Sequence, residues 1–323
     1  MFDKKYKIVI TDCDHPSIEF EKEVFRQADV DLILENCKTE DDVITVASDV
    51  DGIINQYAPM TKKVIQALSK CKVIARYGVG VDNIDIEAAT KKNIIVANVP
   101  DYCIDEVSTH TMSLILACAR SLTILDRKVR ERKWDFTVAK PLFRTEGQTV
   151  GLFGLGRIAR KVAQKALGFG FKVITYDPYV SEAGEDIKLV DLDYLLANSD
   201  FLSIHAPLTK ETRHLFGENK LHKMKKTAFL INTSRGPLID EKALYKALKE
   251  KWIAGAALDV MEKEPPDWNN PLLKLENIII TPHISFYSEE SYRELKIKVA
   301  ESVVSVLKGK QPRSTVNPQV LKK

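Results

Sequence analysis

From residue 149 the chain reads TVGLFGLGRIARKVAQKALGFGFKVITYDPY, a stretch that leaves its surroundings little freedom in how to fold. A β-rich run stops at Gly154-Leu155-Gly156-Arg157-Ile158-Ala159, a helical pattern follows, and a second β-rich run closes at Asp177. The spacing fits G-x-G-x-x-[GA]. The first glycine permits the tight turn out of the strand, the second lets a pyrophosphate approach the backbone, and Ala159 keeps the helix close to the sheet. The amides of Gly156, Arg157 and Ile158 would face the phosphates from the helix N-terminus. A glycine-rich turn by itself often serves packing alone. Here the strand before it, the helix after it and the acid about 20 residues further on make a dinucleotide site the better reading. A carboxylate at Asp177 would accept hydrogen bonds from the adenosine ribose hydroxyls and repel a 2′-phosphate, which favours NAD over NADP.

The same alternation runs through the rest of the chain. Up to about residue 98, YKIVITD, VDLILE, VDGIIN, KVIARYG and NIIVAN are short β-rich runs, separated by segments such as SIEFEKEVFRQA and TKKVIQALSK. A long helical stretch from about Asp105 to Trp134 follows, apolar enough in Met112, Leu114, Ile115, Leu116 and Ala119 to be largely buried. The pattern then restarts with six runs, TVGLFG, FKVITYD, DFLSIHA, TAFLINT, GAALDV and NIIIT. Strands separated by helices imply βαβ units and parallel sheets, so the expected class is α/β with two doubly wound parallel sheets. A last amphipathic helix from about Ser288 to Leu307 should stop at Gly309.

Composition excludes several other classes. The 48 Lys and Arg against 45 Asp and Glu give a net charge of +3, too balanced for a nucleic-acid or membrane-surface binder. No apolar run approaches the ~20 residues of a membrane span. The opening MFDKKYKIVITDCD has no signal-peptide pattern. Five scattered cysteines without a CxxC fit reduced thiols in a cytoplasm better than disulfides or a zinc site, and no metal is expected.

Three loops of the second sheet carry polar residues at strand ends. Arg235 lies in AFLINTSRGPLIDEKAL before a helix that Asp240 should cap, Asp259 ends the strand of GAALDVMEKEPP, and Glu264 precedes Pro265-Pro266. In LENIIITPHISFYSEES, His283 stands at the mouth of a short apolar strand. Singly, each has a bland role: a guanidinium on carbonyls, a solvated carboxylate, an imidazole on a backbone group. In a parallel sheet, however, all these loops emerge beyond the carboxyl ends of the strands, where ligands bind. Arg235, Glu264 and His283 are therefore expected to converge beside the dinucleotide.

Together RYGVGVDNID, GLFGLGRIA, INTSRGPLID, ALDVMEKEP and TPHIS resemble the D-isomer-specific 2-hydroxyacid dehydrogenase family over nearly the whole chain. TDCDHPSIEFE, YDPYVS and PHISFYSEES look most like its C-terminal-binding-protein branch, which includes NAD(H)-binding corepressors. The resemblance implies a discontinuous flavodoxin-like substrate domain, residues 1–98 with 288–323, and a Rossmann NAD-binding domain, residues 99–287, with a cleft between them. It implies a catalytic trio of Arg235, Glu264 and His283. It places the substrate carboxylate on Tyr77-Gly78-Val79-Gly80 with Arg76 just before, and Phe286 against the substrate side chain. Beyond the glycine loop and Asp177, it implies cofactor contacts from Val107, Ala206, Pro207, Thr212, Thr233, Ser234 and Asp259, the last holding the nicotinamide amide. It also implies a homodimer. Ala159 for the third glycine, Phe286 for a tryptophan and Thr109 for an acid are its departures.

The mechanism implied is hydride transfer between NADH and C2 of a small 2-oxo acid, with His283 protonating the developing alkoxide and Glu264 orienting the ring. Arg235 presents a planar fork that lysine cannot reproduce. The competing expectation is an NAD(H)-sensing binding protein of the corepressor type with weak turnover. Formate dehydrogenase fits less well, since glutamine replaces the acid paired with histidine there. A phosphoglycerate dehydrogenase with a regulatory domain is not expected at this length.

Overall fold

The structure, a computed structural model, describes residues 6–14, 17–26 and 28–321. Residues 1–5 of the opening segment, the His15-Pro16 pair of TDCDHPSIEFE and the last two lysines lie outside the described residues. The chain forms two compact units, Met1–Cys103 with Ser288–Lys323, and Ile104–Tyr287.

The first unit alternates strand and helix: β1 (Tyr6–Ile10), α1 (Glu19–Phe25), β2 (Val30–Leu34), α2 (Glu40–Ala47), β3 (Gly52–Asn55), α3 (Lys62–Ala67), β4 (Val73–Arg76), α4 (Ile86–Lys91) and β5 (Ile95–Ala97). All pairings are parallel, in the order β2-β1-β3-β4-β5. Strands covered on both faces read as continuous apolar runs, and β3 (GIIN) is buried at all four positions. Val9, Ile53, Ile74 and Val96 pack with Val43, Val64 and Ile65 on one side.

The second unit opens with α5 (Ile104–Ala119) and α6 (Leu122–Arg130). The expected single helix from Asp105 to Trp134 is broken here, because Ser121 takes a left-handed conformation (φ 49°) that an α-helix cannot continue through. The two pieces also differ in surroundings: α5 is half buried, whereas α6 has no buried residue. There follow β6 (Thr149–Phe153), α7 (Arg157–Gly168), β7 (Lys172–Tyr176), β8 (Ile187–Leu189), α8 (Leu192–Asn198), β9 (Phe201–Ile204), α9 (Glu218–Leu221), β10 (Phe229–Asn232), α10 (Glu241–Lys249), β11 (Gly255–Leu258) and β12 (Ile278–Ile280). The sheet is parallel and has seven strands, β12-β11-β10-β9-β6-β7-β8, one more than the six apolar runs foretell. The extra one, β8, is a three-residue edge strand whose largely exposed IKL gives no apolar signal.

Helices cover both faces of this sheet. Met112, Ile115, Ala159, Val162 and Ala166 pack against Leu152, Ile231 and Ala257 on one side. Leu195, Leu196, Leu244 and Leu248 pack against Leu202, Leu230 and Ala256 on the other. Strand order reverses between β6 and β9, the switch point where doubly wound sheets leave a crevice. The chain then re-enters the first unit through α11 (Glu289–Leu307), capped by the Ser288 hydroxyl on the Ser291 amide and followed by Gly309 at φ 71°. α11 packs on α1, β3 and β4. No described helix is long and apolar enough to cross a membrane.

Candidate active site

The loop after β10 is shaped by its own side chains. Asn232 accepts from the Ser234 amide (3.0 Å) and donates to the Arg235 carbonyl (2.8 Å), while Ser234 Oγ donates to the Ile204 carbonyl (2.7 Å). A Cβ on Gly236 would lie 2.0 Å from the Met261 backbone, so only glycine lets this loop rest on the loop after β11. That contact brings Arg235 beside the segment that carries Glu264. The Arg235 guanidinium also donates to the Ser234 carbonyl (2.8 Å), and the expected Asp240 cap of α10 is present on the Lys242 and Ala243 amides.

The loop after β12 is tied down by Asp259, only 1% exposed. Its Oδ1 accepts from Thr281 Oγ1 (2.5 Å) and the Ile284 amide (3.0 Å), and its Oδ2 from the Ser285 amide (2.9 Å). Its carbonyl takes the His283 amide (2.8 Å). So clamped, His283 sits at φ 53°, a conformation that costs a non-glycine residue free energy and persists only where the surroundings impose it.

The His283 ring places Nδ1 2.6 Å from Glu264 Oε2, and Glu264 Oε1 accepts from the Met261 amide (2.9 Å). Burial alone would push the Glu264 carboxyl up; the hydrogen bond and charge of His283, the Met261 amide and the Arg235 charge outweigh it and hold the carboxyl below the usual glutamate range. An ionised carboxylate only accepts, so Nδ1 carries the proton and Nε2 is the exchangeable position. Among the described residues Nε2 makes no hydrogen bond. The Phe286 ring stands edge-on to the imidazole, centroids 6.2 Å apart.

The glycine turn fits a dinucleotide. Gly154 has φ 94°, and a Cβ there would meet the His205 carbonyl at 2.7 Å. Gly156 has open space where a Cβ would stand, and no side chain caps the α7 N-terminus, so its first amides face an uncovered position. Ala159 is fully buried against the sheet. Asp177 accepts from the Leu155 amide (2.8 Å) and the Tyr179 amide (2.9 Å), which fixes the carboxylate at the end of β7 and leaves lone pairs for ribose hydroxyls.

In the first unit, Tyr77-Gly78-Val79-Gly80 follows β4. Gly78 has φ 131° and a Cβ there would lie 1.8 Å from Arg76 Nη1, so the guanidinium occupies the space a side chain would need. The Gly78 and Val79 carbonyls accept from the Val99 amide (2.9 Å) and Asn98 Nδ2 (2.7 Å). The Val79 and Gly80 amides have no acceptor among the described residues, which leaves two adjacent donors for an anion. The Tyr77 side chain is 2% exposed, with its hydroxyl on Glu21 (2.5 Å).

The other expected cofactor residues are engaged locally. Thr233 Oγ1 bonds Thr111 Oγ1 (2.9 Å), and Thr212 Oγ1 donates to the Pro207 carbonyl (2.8 Å). Val107 is buried in α5, whereas Ala206 and Pro207 are more open after β9. Asp259 takes three donors on its carboxylate and the His283 amide on its carbonyl, which clamps the His283 loop; its contact with the nicotinamide amide stays a proposal. His110 was not foreseen: from α5 it reaches Thr281 Oγ1 (3.1 Å) and lies 3.6 Å from Asp259, and a lone histidine in an apolar helix gives no sequence signal of that. Lys165 donates to Thr109 Oγ1 (2.5 Å) and Asp105 (3.0 Å), which gives the threonine at that departure a partner.

A doubly wound sheet with a glycine turn, a terminal acid and a carboxylate-oriented histidine defines the class of nicotinamide-dependent dehydrogenases. Residues 112–285 match the family described as D-isomer specific 2-hydroxyacid dehydrogenase, NAD binding domain. The chain is 42% identical over 287 residues to a glyoxylate reductase of Korarchaeum cryptofilum, covering 87% of this chain and 86% of that one. It is 38% identical over 271 residues to a hydroxypyruvate reductase of Thermotoga maritima (83% and 88% covered). It is 43% identical over 284 residues to a D-3-phosphoglycerate dehydrogenase of Methanocaldococcus jannaschii, covering 86% of this chain but 54% of that longer one. Among solved structures, a glyoxylate reductase of Paecilomyes thermophila superposes with TM-score 0.87 at 28% identity (98% and 100% covered). The NAD complex of a D-isomer specific 2-hydroxyacid dehydrogenase of Lactobacillus delbrueckii ssp. bulgaricus gives 0.78 at 29% (96% and 100% covered). The chain belongs to the D-isomer specific 2-hydroxyacid dehydrogenase family, and is an NAD-dependent oxidoreductase acting on CH–OH donors.

Proposed function

We propose that this chain reduces a small 2-oxo acid to the D-2-hydroxy acid, and catalyses the reverse oxidation, with His283 as acid/base. The observation that carries this reading is the 2.6 Å bond from His283 Nδ1 to Glu264 Oε2, which orients the ring and leaves Nε2 for substrate. Bound NADH supplies the hydride that C2 of the oxo acid takes. His283 gives its Nε2 proton to the carbonyl oxygen as negative charge develops there; in the oxidation, neutral Nε2 takes the hydroxyl proton. Arg235 offers paired donors to carboxylate and carbonyl oxygen. On the first unit, the Val79 and Gly80 amides, with Arg76 beside them, offer donors that suit a carboxylate; on the second, Phe286 beside His283 offers a ring to an apolar substituent.

The residues that would hold the cofactor are Gly154 to Ile158 for the pyrophosphate, Asp177 for the ribose, and Val107, Ala206, Pro207, Thr212, Thr233 and Ser234 for the remainder. In this reading the first unit is the substrate domain. We also propose a homodimer, since α6 and the segment after it expose Leu122, Val129, Trp134, Phe136, Val138 and Phe143, and apolar side chains gathered on a surface mark interaction sites. A cytoplasmic setting suits the buried thiols of Cys37, Cys103 and Cys118.

The reductase and dehydrogenase names of the relatives support turnover over the corepressor-type alternative, which draws on TDCDHPSIEFE, YDPYVS and PHISFYSEES. The test is NADH oxidation across a panel of 2-oxo acids with glyoxylate, hydroxypyruvate and pyruvate included. Turnover of at least one at ordinary enzyme rates is expected; tight NADH binding with no turnover of any would favour the sensing protein.

A further inference from the structure

The first unit buries an ion pair that the reaction above leaves unused. Glu21 of α1 and Lys296 of α11 are both 0% exposed, with Nζ 3.2 Å from Oε1. The same Oε1 accepts from the Tyr77 hydroxyl (2.5 Å). Lys296 also donates to the Ser17 carbonyl and to the Tyr292 hydroxyl (3.3 Å), and its ammonium lies 5.9 Å from the centre of the Tyr77 ring and 5.0 Å from that of Tyr292. Glu21 Oε2 is buried with no hydrogen-bond partner among the described residues. Two buried charges with one oxygen unsatisfied are a poor way to gain stability, since apolar residues of equal volume usually do as well or better. A role in geometry accounts for the cluster where stability does not.

The geometry concerns one residue. Tyr77 is the first residue after β4, its amide continues the ladder onto the Asn55 carbonyl (2.9 Å), and the next three residues are the loop with the two open amides. We propose that Glu21 and Lys296 are positioning residues that hold Tyr77 by its hydroxyl and so fix the direction of the Val79 and Gly80 amides toward the substrate carboxylate. The inference rests on that loop being the carboxylate site. Burial first, then the Glu21 charge and hydrogen bond, keep the Tyr77 phenol protonated, so it stays a donor at working pH. Three elements distant in sequence, α1, the β4 loop and α11, thereby converge on one side chain.

The experiment compares Tyr77→Phe, Glu21→Gln, the charge-free pair Glu21→Gln/Lys296→Met, the pair Tyr77→Phe/Glu21→Gln, and Val79→Pro, which removes one open amide. Readouts are KM and kcat for the best 2-oxo acid of the panel, Kd for NADH, and Tm. Tyr77→Phe should raise KM about tenfold with kcat and NADH Kd within about twofold, because a displaced loop weakens placement of the acid and leaves the cofactor alone. In the Glu21→Gln/Lys296→Met background, which needs no buried charge to fold, KM should rise by less than in Tyr77→Phe, because the glutamine amide oxygen can still accept from the hydroxyl. Tyr77→Phe/Glu21→Gln should be no worse than the more affected single variant. An unchanged KM in Tyr77→Phe, with Val79→Pro raising KM, overturns the positioning role. An unchanged KM in Val79→Pro instead overturns the loop as carboxylate site.

Discussion

His283 and Glu264 meet at 2.6 Å, Nδ1 to Oε2, on two loops with separate anchors: Asp259 holds the first, the Gly236 contact holds the second, and the Met261 amide holds the Glu264 carboxylate. The ring is thus oriented by contacts on both loops. Removing either member should have a distinct effect.

His283→Ala should lower the rate of 2-oxo acid reduction by about 10²–10⁴-fold, the usual worth of general acid catalysis, with NADH Kd little changed. Glu264 gives the acid side of the profile. Its folded carboxyl lies below the usual range, so its interaction with His283 is fully present above the unfolded glutamate value and is lost as pH falls through the lowered folded value. The wild-type rate should therefore hold into acid below the ordinary glutamate range, and Glu264→Gln should abolish that limb while lowering kcat. A pH–rate profile with the same acid limb in both proteins would remove Glu264 from the assignment.

Asp177 is fixed by the Leu155 and Tyr179 amides, and in the proposed reading its charge would meet a ribose 2′-phosphate. kcat/KM with NADH should exceed that with NADPH, and Asp177→Ser should narrow the ratio by about tenfold, the ~1.4 kcal/mol that one decade represents. Equal values for the two cofactors in the wild type would dismiss this role.

How much of this is legible in the sequence depends on range. The glycine turn and Asp177 are local: strand, turn, helix and acid lie within one unit, so spacing alone places them. The β-rich runs likewise mark strands covered on both faces, while β8 escapes because an edge strand of three residues has no apolar run. The α5–α6 break at Ser121 is a single backbone dihedral that no periodicity records. Glu21, Tyr77 and Lys296 are ordinary residues in sequence and become a cluster only when α1 and α11 pack together. Asp259 reads as a strand-end acid, and its work as a clamp appears only through the donors that fold onto it.

His205, after β9, shows how burial couples pH to stability. It is part-buried beside Ser203 Oγ (2.8 Å), and desolvation brings its imidazole down to about 4. The folded state keeps it neutral while the unfolded chain takes up a proton near pH 6.5. Stability should therefore fall as pH drops from 6.5 toward 4, by at most about 3 kcal/mol, and level off below. His205→Gln should flatten that part of the Tm profile measured from pH 7 to 4; an unchanged slope would show that other groups set it.

The apolar arm after α5 should govern assembly. Trp134 is 92% and Phe136 73% exposed, values that fit side chains awaiting a partner surface. The wild type should run as a dimer in size-exclusion chromatography with light scattering. Trp134→Glu/Phe136→Glu should run as a monomer with an unchanged far-UV spectrum. A dimer persisting in that variant would place the interface elsewhere.

Phe286 bears on what the site accepts. Its ring stands 6.2 Å from the His283 ring and 6.5 Å from that of Tyr287, on the segment that leads into α11. An aromatic face beside the acid/base can hold an apolar substituent on C3 of the substrate, and no lysine or arginine lies within HISFYS to invite a phosphate or second carboxylate. Each methylene buried is worth about 0.8 kcal/mol, so a chain longer by two carbons should gain about one order of magnitude in kcat/KM over its shorter homologue. Phe286→Ala should erase most of that gain and leave glyoxylate, which has no such substituent, within about twofold of wild type. Loss for glyoxylate and the longer acids alike would mean that the ring serves to steady His283 and has no part in specificity.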